Sequence, residues 1–180
     1  MQPRYPPPHP LLAELEERAG SAATISRETG RFLATIVTAM QANRILEVGT
    51  GYGYATLWMA LAQPSVGRIW TIEPDAARTD VARSYFRRAA EDDFIEVFNT
   101  PALELIENFP HRNLDIAFVA ADPGEYDRYL ELVIPMLKLS GLAIFNDADA
   151  QFAERFLTHP SLVATILPLG LGLAIGARRQ

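Results

Sequence analysis

The sequence predicts an α/β fold with a mostly parallel sheet, and two features of the chain carry this prediction. Short apolar segments alternate with amphipathic ones, which is the order that winds helices onto both faces of a parallel sheet. Near the end, two strand-like segments are separated only by Pro168, Leu169 and Gly170. Strands joined so closely must form an antiparallel hairpin. We therefore expect a doubly wound, seven-stranded sheet that closes with this hairpin.

The predicted strands are short and apolar, as expected for strands that are buried on both faces. They cover residues 44–48, 68–73, 94–98, 114–119 and 142–145, followed by the hairpin strands 162–167 and 171–177.

The predicted helices lie between these strands and before the first of them. Ser26 is a good N-cap, and apolar residues recur after it at spacings of three and four up to Met40. Pro74 and Asp75 open a helix, and Pro101 stands at a helix start, where proline is tolerated. The other helices are expected over residues 11–18, 54–62, 124–138 and 150–157.

Length and composition indicate one domain. The chain has 180 residues, 49% of them hydrophobic, and carries a net charge of −6. We expect a flexible, proline-rich tail over residues 1–10 and a single domain over residues 11–180. The acidic charge argues against a nucleic-acid partner. The absence of cysteine excludes thiolate chemistry, and no apolar run reaches the roughly 18 residues of a membrane span. We expect a cytoplasmic protein with no membrane partner.

The most informative segment is the glycine-rich turn over residues 49–53, which follows the first strand and precedes a helix. This geometry brings a ligand against backbone amides. Its spacing is G-x-G-x-G, whereas dinucleotide sites use G-x-G-x-x-G. Glu47 would repel a pyrophosphate but suits the cationic groups of S-adenosyl-L-methionine (SAM). Glu73, at the end of the second strand, suits the ribose of either ligand. A SAM site, another nucleotide site and a ligand-free turn with a surface Glu47 remain alternatives.

Together, these segments resemble the class I SAM-dependent methyltransferases, which have a Rossmann-like sheet. More narrowly, the chain is similar to the bacterial O-methyltransferase family that includes the catechol and caffeoyl-CoA enzymes. The likeness extends from about residue 23 to residue 178. The matching segments are residues 26–33, 46–50, 53–54, 71–75, 114–126, 166–169 and 172–173.

The resemblance implies SAM as the cofactor and assigns residues to it. Glu47, Gly49, Thr50 and Gly53 would line the methionine part, Glu73 would hold the ribose, and Ala102 would lie beside the adenine. Tyr54 either contacts the ligand or packs against neighbouring helices. The predicted cofactor-binding residues are Glu47, Gly49, Thr50, Gly51, Gly53, Tyr54, Glu73, Pro74, Ala102 and Ala120. Ala55 and Thr100 stand where the family has serine and glycine.

The catalytic positions depart from the family. Its F-I-D-A-D-K-x-x-Y pattern reads F-V-A-A-D-P-G-E-Y over residues 118–126. Ala120 replaces a metal-binding aspartate, Pro123 replaces the lysine base, and the Asp-Asn pair after the fifth strand is Asn146-Asp147. Magnesium and calcium need several converging oxygens, so we predict no family-type metal site. Asp122 and Asp147, at the ends of the fourth and fifth strands, are the candidate catalytic bases.

Three functions are compatible with the sequence. The first is methyl transfer from SAM to a small molecule without a metal, since positioning supplies much of the catalysis in such displacements. The second is a non-catalytic SAM-binding protein or regulatory subunit. The third is another use of the fold, such as nucleotide binding or aminopropyl transfer. The resemblance also favours a homodimer.

Overall fold

A computed structural model describes residues 9–19 and 25–179. Seven strands form one sheet in the order β3-β2-β1-β4-β5-β7-β6. They are β1 (Arg44–Val48), β2 (Arg68–Ile72), β3 (Ile95–Phe98), β4 (Leu114–Val119), β5 (Leu137–Phe145), β6 (Leu162–Leu167) and β7 (Leu173–Arg178). Strands β1 to β5 are parallel, and β7 runs antiparallel to both β5 and β6. The predicted sheet and its closing hairpin are confirmed.

The helices precede or connect the strands. They are α1 (Pro10–Ala19), α2 (Arg27–Met40), α3 (Tyr54–Ala60), α4 (Ala76–Arg88), α5 (Ala102–Ile106), α6 (Tyr126–Val133) and α7 (Ala150–Thr158). Ser26 caps α2 by accepting a hydrogen bond from the amide of Thr29, and Asp75 caps α4 in the same way. Of the predicted tail, residues 1–8 lie outside the described residues, whereas Pro10 is the first residue of α1.

Alternate residues of each strand face opposite layers. Ile45, Ile69 and Ile116 pack with α1 to α4 on one face. Leu46 and Ala117 pack with α5, α6 and α7 on the other. The sheet is therefore doubly wound, and its core fills both faces. None of the helices in the described ranges combines the length and the hydropathy that a membrane span requires.

The boundary between α6 and β5 was predicted wrongly. The helix expected over residues 124–138 ends at Val133, and strand β5 begins at Leu137, five residues before the predicted start. A short turn at Ile134–Met136, which contains Pro135, ends the helix. Strand β5 then passes through Ser140, whose φ is +64°, and the register with β4 shifts there. The irregularity separates residues 137–141, which were not predicted as strand, from the predicted segment 142–145.

The hairpin loop is also longer than expected, because β7 begins at Leu173 and not at Leu171. Gly170 and Gly172 both have positive φ, of +59° and +128°. The amide of Gly172 donates to the carbonyl of Leu169 over 3.0 Å, which closes the loop. The loop therefore spans five residues and approaches the carboxyl end of β5.

Candidate active site

A cavity of about 770 Å³ opens at the carboxyl ends of β1, β2 and β4. Strand β1 pairs with β2 on one side and with β4 on the other, so the chain reverses its direction of winding beside β1. Ligands of open α/β sheets bind at this switch point. Seven of the sequence-predicted site residues line the cavity, namely Gly49, Gly51, Glu73, Pro74, Ala102, Ala120 and Asp122.

The glycine turn forms the floor of the cavity between β1 and α3. Gly49, Gly51 and Gly53 have φ values of +97°, +52° and +86°, which glycine adopts without strain. A Cβ atom on Gly49 would collide with the backbone of Ala120, so the turn and the loop after β4 touch directly. At Gly51 the equivalent space is open. The turn thus presents bare backbone to a ligand at Gly51.

The carboxylate of Glu73 is buried in the cavity wall and held by two backbone amides. Its Oε2 accepts from the amide of Gly51 at 2.9 Å, and its Oε1 accepts from the amide of Asp75 at 3.1 Å. A carboxylate oxygen has room for a second donor. Glu73 is therefore fixed in direction and can still accept hydrogen bonds from two neighbouring hydroxyl groups of a ligand.

Glu47 lies beneath the turn with no solvent exposure. Its Oε2 accepts hydrogen bonds of 2.5 Å from the hydroxyls of Thr56 and Thr71, and its Oε1 has no hydrogen-bond partner among the described residues. Burial raises the pKa of Glu47 to about 7; the bonds from Thr56 and Thr71 oppose this shift, and the charge of Glu73 adds to it. The alternative of a ligand-free turn placed Glu47 on the surface, and the structure contradicts that placement.

The remaining predicted cofactor residues lie behind the cavity wall. Thr50 is buried, and its hydroxyl is 2.6 Å from that of Thr71. A Cβ atom on Gly53, which precedes α3, would come within 2.8 Å of the Phe86 ring. The hydroxyl of Tyr54 lies 3.5 Å from Glu16, a residue of α1. These residues shape the turn from behind.

The two candidate bases are placed differently. Asp122 is exposed at the cavity edge, where its Oδ1 accepts from the amide of Gly124 at 2.9 Å. Asp147 is half-buried with a φ of +53°, and its Oδ1 accepts from the amide of Leu171 in the hairpin loop at 3.2 Å. Asp147 is not part of the cavity wall. Burial raises the pKa of Tyr126, and the charges of Asp147 and Asp122 add to this shift; the Tyr126 hydroxyl donates to the Asn146 carbonyl at 2.6 Å.

The side chains at the family's metal positions offer few oxygen atoms. Ala120 offers no oxygen from its side chain, and one oxygen of Asp147 is already bonded to the hairpin loop. Within residues 9–19 and 25–179, no three histidine, aspartate or glutamate side chains converge as metal ligands do. Magnesium and calcium bind through oxygen ligands, and of these three positions only Asn146 and Asp147 carry side-chain oxygens.

The sequence prediction missed the outer wall of the cavity. Arg78 from α4, Glu107 after α5, and Glu125 and Arg128 at the start of α6 line it. Glu107 and Arg128 form an ion pair of 3.4 Å between exposed side chains. In the sequence, the position of these charged residues after the strands was the only indication that they line the cavity. Solvated helix surfaces carry the same residue types, so this indication does not identify them.

Comparison with known proteins places the chain in a family. The O-methyltransferase family matches residues 7–152. A catechol O-methyltransferase of Mycobacterium tuberculosis is 32% identical over 160 residues, covering 79% of this chain and 73% of that protein. A caffeoyl-CoA O-methyltransferase of Populus kitakamiensis is 31% identical over 153 residues, covering 79% of this chain and 65% of its own length.

A solved structure supports the same placement. The O-methyltransferase of Bacillus cereus, crystallised with S-adenosylhomocysteine (SAH), aligns with a TM-score of 0.84 and 27% identity, over 96% of this chain and 92% of that one. The resemblance to class I SAM-dependent methyltransferases drawn from the sequence is confirmed. With its doubly wound sheet and its cavity beside the glycine turn, this chain belongs to the O-methyltransferase family.

Proposed function

We propose that this protein transfers a methyl group from SAM to a small molecule, and that it does so without a divalent metal. The observation that carries the proposal is the cavity at the switch point, where the glycine turn and the buried Glu73 meet. Family membership supports SAM as the cofactor and methyl transfer as the reaction. No finding favours the non-catalytic alternative.

The cavity residues fit the parts of SAM. Glu73 is fixed by two backbone amides and would accept hydrogen bonds from the ribose hydroxyls. Pro74 and Ala102 offer apolar contact for the adenine ring, and Ala120 faces the glycine turn from the loop after β4. The buried Glu47 would contribute negative charge beneath the cationic methionine part. Gly49, Thr50, Gly51, Gly53 and Tyr54 would shape the turn that carries this part.

When bound, SAM supplies a methyl group on a positively charged sulfur, which an acceptor attacks in line. The residues of this chain would hold the two reactants close and aligned, and such positioning supplies a large part of the rate. Asp122 or Asp147 would accept the proton that the acceptor loses. Asp122 is the more accessible of the two at the cavity edge, whereas Asp147 is tied to the hairpin loop.

Metal independence is supported by the chemistry of the residues that replace the family's ligands. An alanine at position 120 removes one carboxylate, and the reversed pair Asn146-Asp147 leaves one carboxylate beside an amide. The lysine base of the family pattern is also replaced, by Pro123.

A small-molecule acceptor without a nucleic-acid partner agrees with the net charge of −6. A homodimer, a cytoplasmic location and a single domain over residues 11–180 stay predictions.

Calorimetric titration with SAM and SAH tests the cofactor first. We expect micromolar binding of both, and binding of neither would overturn the proposal. Transfer of labelled methyl groups to a panel of hydroxyl and amine acceptors then tests the reaction, with chelator and with magnesium in parallel. Transfer that survives the chelator supports the metal-free proposal. Transfer that requires magnesium would overturn it, and SAM binding without transfer to any acceptor would favour the non-catalytic alternative.

A further inference from the structure

We propose that Thr71, a buried residue of β2, is a positioning residue of the cofactor site. Its hydroxyl connects Glu47 on β1 to Thr50 in the glycine turn, and this connection holds the turn in the shape that receives SAM. The inference rests on the proposed function, because it concerns how the same site binds its cofactor. Neither the glycine pattern nor the family resemblance assigned a role to Thr71.

The geometry of the connection is direct. Thr71 stands opposite Glu47 in the register of β1 and β2. Its Oγ1 lies 2.5 Å from Oε2 of Glu47 and 2.6 Å from Oγ1 of Thr50. Thr71 and Glu47 have no solvent exposure, and Thr50 has 3%. Water therefore does not compete for these hydrogen bonds. If one of the bonds is lost, water cannot replace the missing partner.

The direction of each hydrogen bond follows from the number of protons. A threonine hydroxyl has one proton to donate, and an ionised carboxylate can only accept. Thr71 donates to Glu47, so the hydroxyl of Thr50 must donate to Thr71. Thr56 donates separately to the same oxygen of Glu47 at 2.5 Å. The charge of Glu47 thus sets the direction of the Thr50 hydroxyl through Thr71.

The hydroxyl of Thr50 adds to the backbone hydrogen bonds that hold the turn, in which Thr50 lies between two glycines. Gly49 and Gly51 both have positive φ, and glycine loses the most conformational freedom when it is ordered. The Thr50 amide donates to the carbonyl of Ile72 at 3.2 Å, and the Gly51 amide donates to Glu73. The bond between the hydroxyls of Thr50 and Thr71 is a further contact between the turn and β2, and it is the one whose direction depends on Glu47.

Two matched substitutions separate this role from simple packing. Thr71→Val keeps the shape of the side chain, removes the donor to Glu47 and leaves Thr50 without its acceptor. Thr56→Val makes the same change on α3 but leaves the bond between Thr50 and Thr71 in place. Both threonines are fully buried. Thr71→Ser, which restores the hydroxyl, completes the set.

The measurement is SAM affinity by calorimetry between about pH 6 and about pH 8.5. In the wild type, the affinity for SAM should rise with pH as Glu47 ionises and then reach a plateau. The midpoint is the pH at which half of this rise has occurred. The charge of Glu73 also acts on Glu47. Thr71→Val should lower the plateau affinity about tenfold and move the midpoint to higher pH, since the charged form loses a donor. Thr56→Val should move the midpoint upward but keep the plateau within about twofold. Thr71→Ser should restore both.

A Thr71→Val protein with the wild-type plateau and midpoint would overturn the inference. So would a Thr56→Val protein whose plateau falls as far as that of Thr71→Val, because the effect would then belong to Glu47 alone. If Thr71→Val does not fold, Thr50→Val removes the bond between Thr50 and Thr71 from its other end, leaves both donors to Glu47 in place, and should lower the plateau affinity without moving the midpoint. A wild-type protein that binds neither SAM nor SAH contradicts the proposed function itself, which distinguishes the two failures.

Discussion

Glu73 accepts a hydrogen bond of 2.9 Å from the backbone amide of Gly51, which ties the end of β2 to the glycine turn after β1. The same carboxylate accepts from the amide of Asp75, so it is held from both sides. One residue therefore fixes the turn and presents acceptors to the cavity. Its removal should disturb both functions together.

Replacing Glu73 by alanine should weaken SAM binding by about 1–3 kcal/mol, which is the usual cost of a lost hydrogen bond to a charged group. Calorimetric titration measures this directly. Glu96→Ala, which removes an exposed carboxylate from the neighbouring strand β3, is the control and should bind as the wild type does. Unchanged affinity in Glu73→Ala would mean that the ribose is bound elsewhere.

Magnesium should not bind specifically at the ends of β4 and β5. We expect titration of magnesium chloride into the protein to give no saturable heat, because Ala120 supplies no ligand. The Ala120→Asp variant, which restores the family's carboxylate, serves as the comparison. Saturable binding by the wild type that Asp147→Ala abolishes would contradict the account of these positions.

Glu14 should stabilise the fold in a pH-dependent way. Hydrogen bonds from Arg88 and Tyr85 lower its pKa from 4.5 to about 2. A carboxyl whose pKa falls on folding contributes stability above its unfolded pKa and loses this contribution as the pH falls. Glu14→Gln should therefore be less stable than the wild type at neutral pH, and the difference should vanish between about pH 4.5 and about pH 2.

Urea unfolding at a series of pH values would measure the effect of Glu14. Glu17→Gln, at an exposed position of the same helix, is the control, and its stability should follow that of the wild type. A Glu14→Gln protein that differs from the wild type equally at all pH values would show that the carboxylate is not the origin of the effect.

Gly30 should be intolerant of substitution although it lies inside a helix, where alanine is normally preferred. A Cβ atom at this position would overlap the indole ring of Trp58. Gly30→Ala should therefore lower the free energy of unfolding by roughly 1–3 kcal/mol, the usual cost of overpacking. The cost should shrink in a Trp58→Leu background, as thermal or urea unfolding would show. An equal cost in both backgrounds would contradict the overlap.

The sequence predicted the bounds of a strand or helix correctly where the local signals and the tertiary packing agree. Strands β1, β4 and β6 have the predicted bounds, Ser26 caps α2 as expected, and α4 begins directly after Pro74 and Asp75. The boundary between α6 and β5 was missed because Ile134 and Leu137 continue the apolar helical spacing. Only the packed structure shows that Pro135 lies in a turn and that Ser140 adopts a positive φ.

The candidate site was predictable in its backbone but not in its side-chain contacts. The glycine pattern located the turn, and the position after β2 located Glu73. The sequence could not show that Glu47 is buried beneath the turn, because its neighbours Thr56 and Thr71 belong to other elements. The sequence also could not show that Arg78 and Arg128 line the outer wall of the cavity, because exposed helix positions carry no periodic signal.

The contacts of α1 link the beginning of the chain to the turn that follows β1. Glu16 pairs with Arg27 of α2 at 2.8 Å and lies 3.5 Å from the hydroxyl of Tyr54, the first residue of α3. Glu14 pairs with Arg88 at the end of α4. Helix α1 thus contacts α2, α3 and α4 on the side of the glycine turn that faces away from the cavity. Ligand binding at the turn should therefore slow hydrogen exchange in α1, although α1 ends about 30 residues before the turn begins.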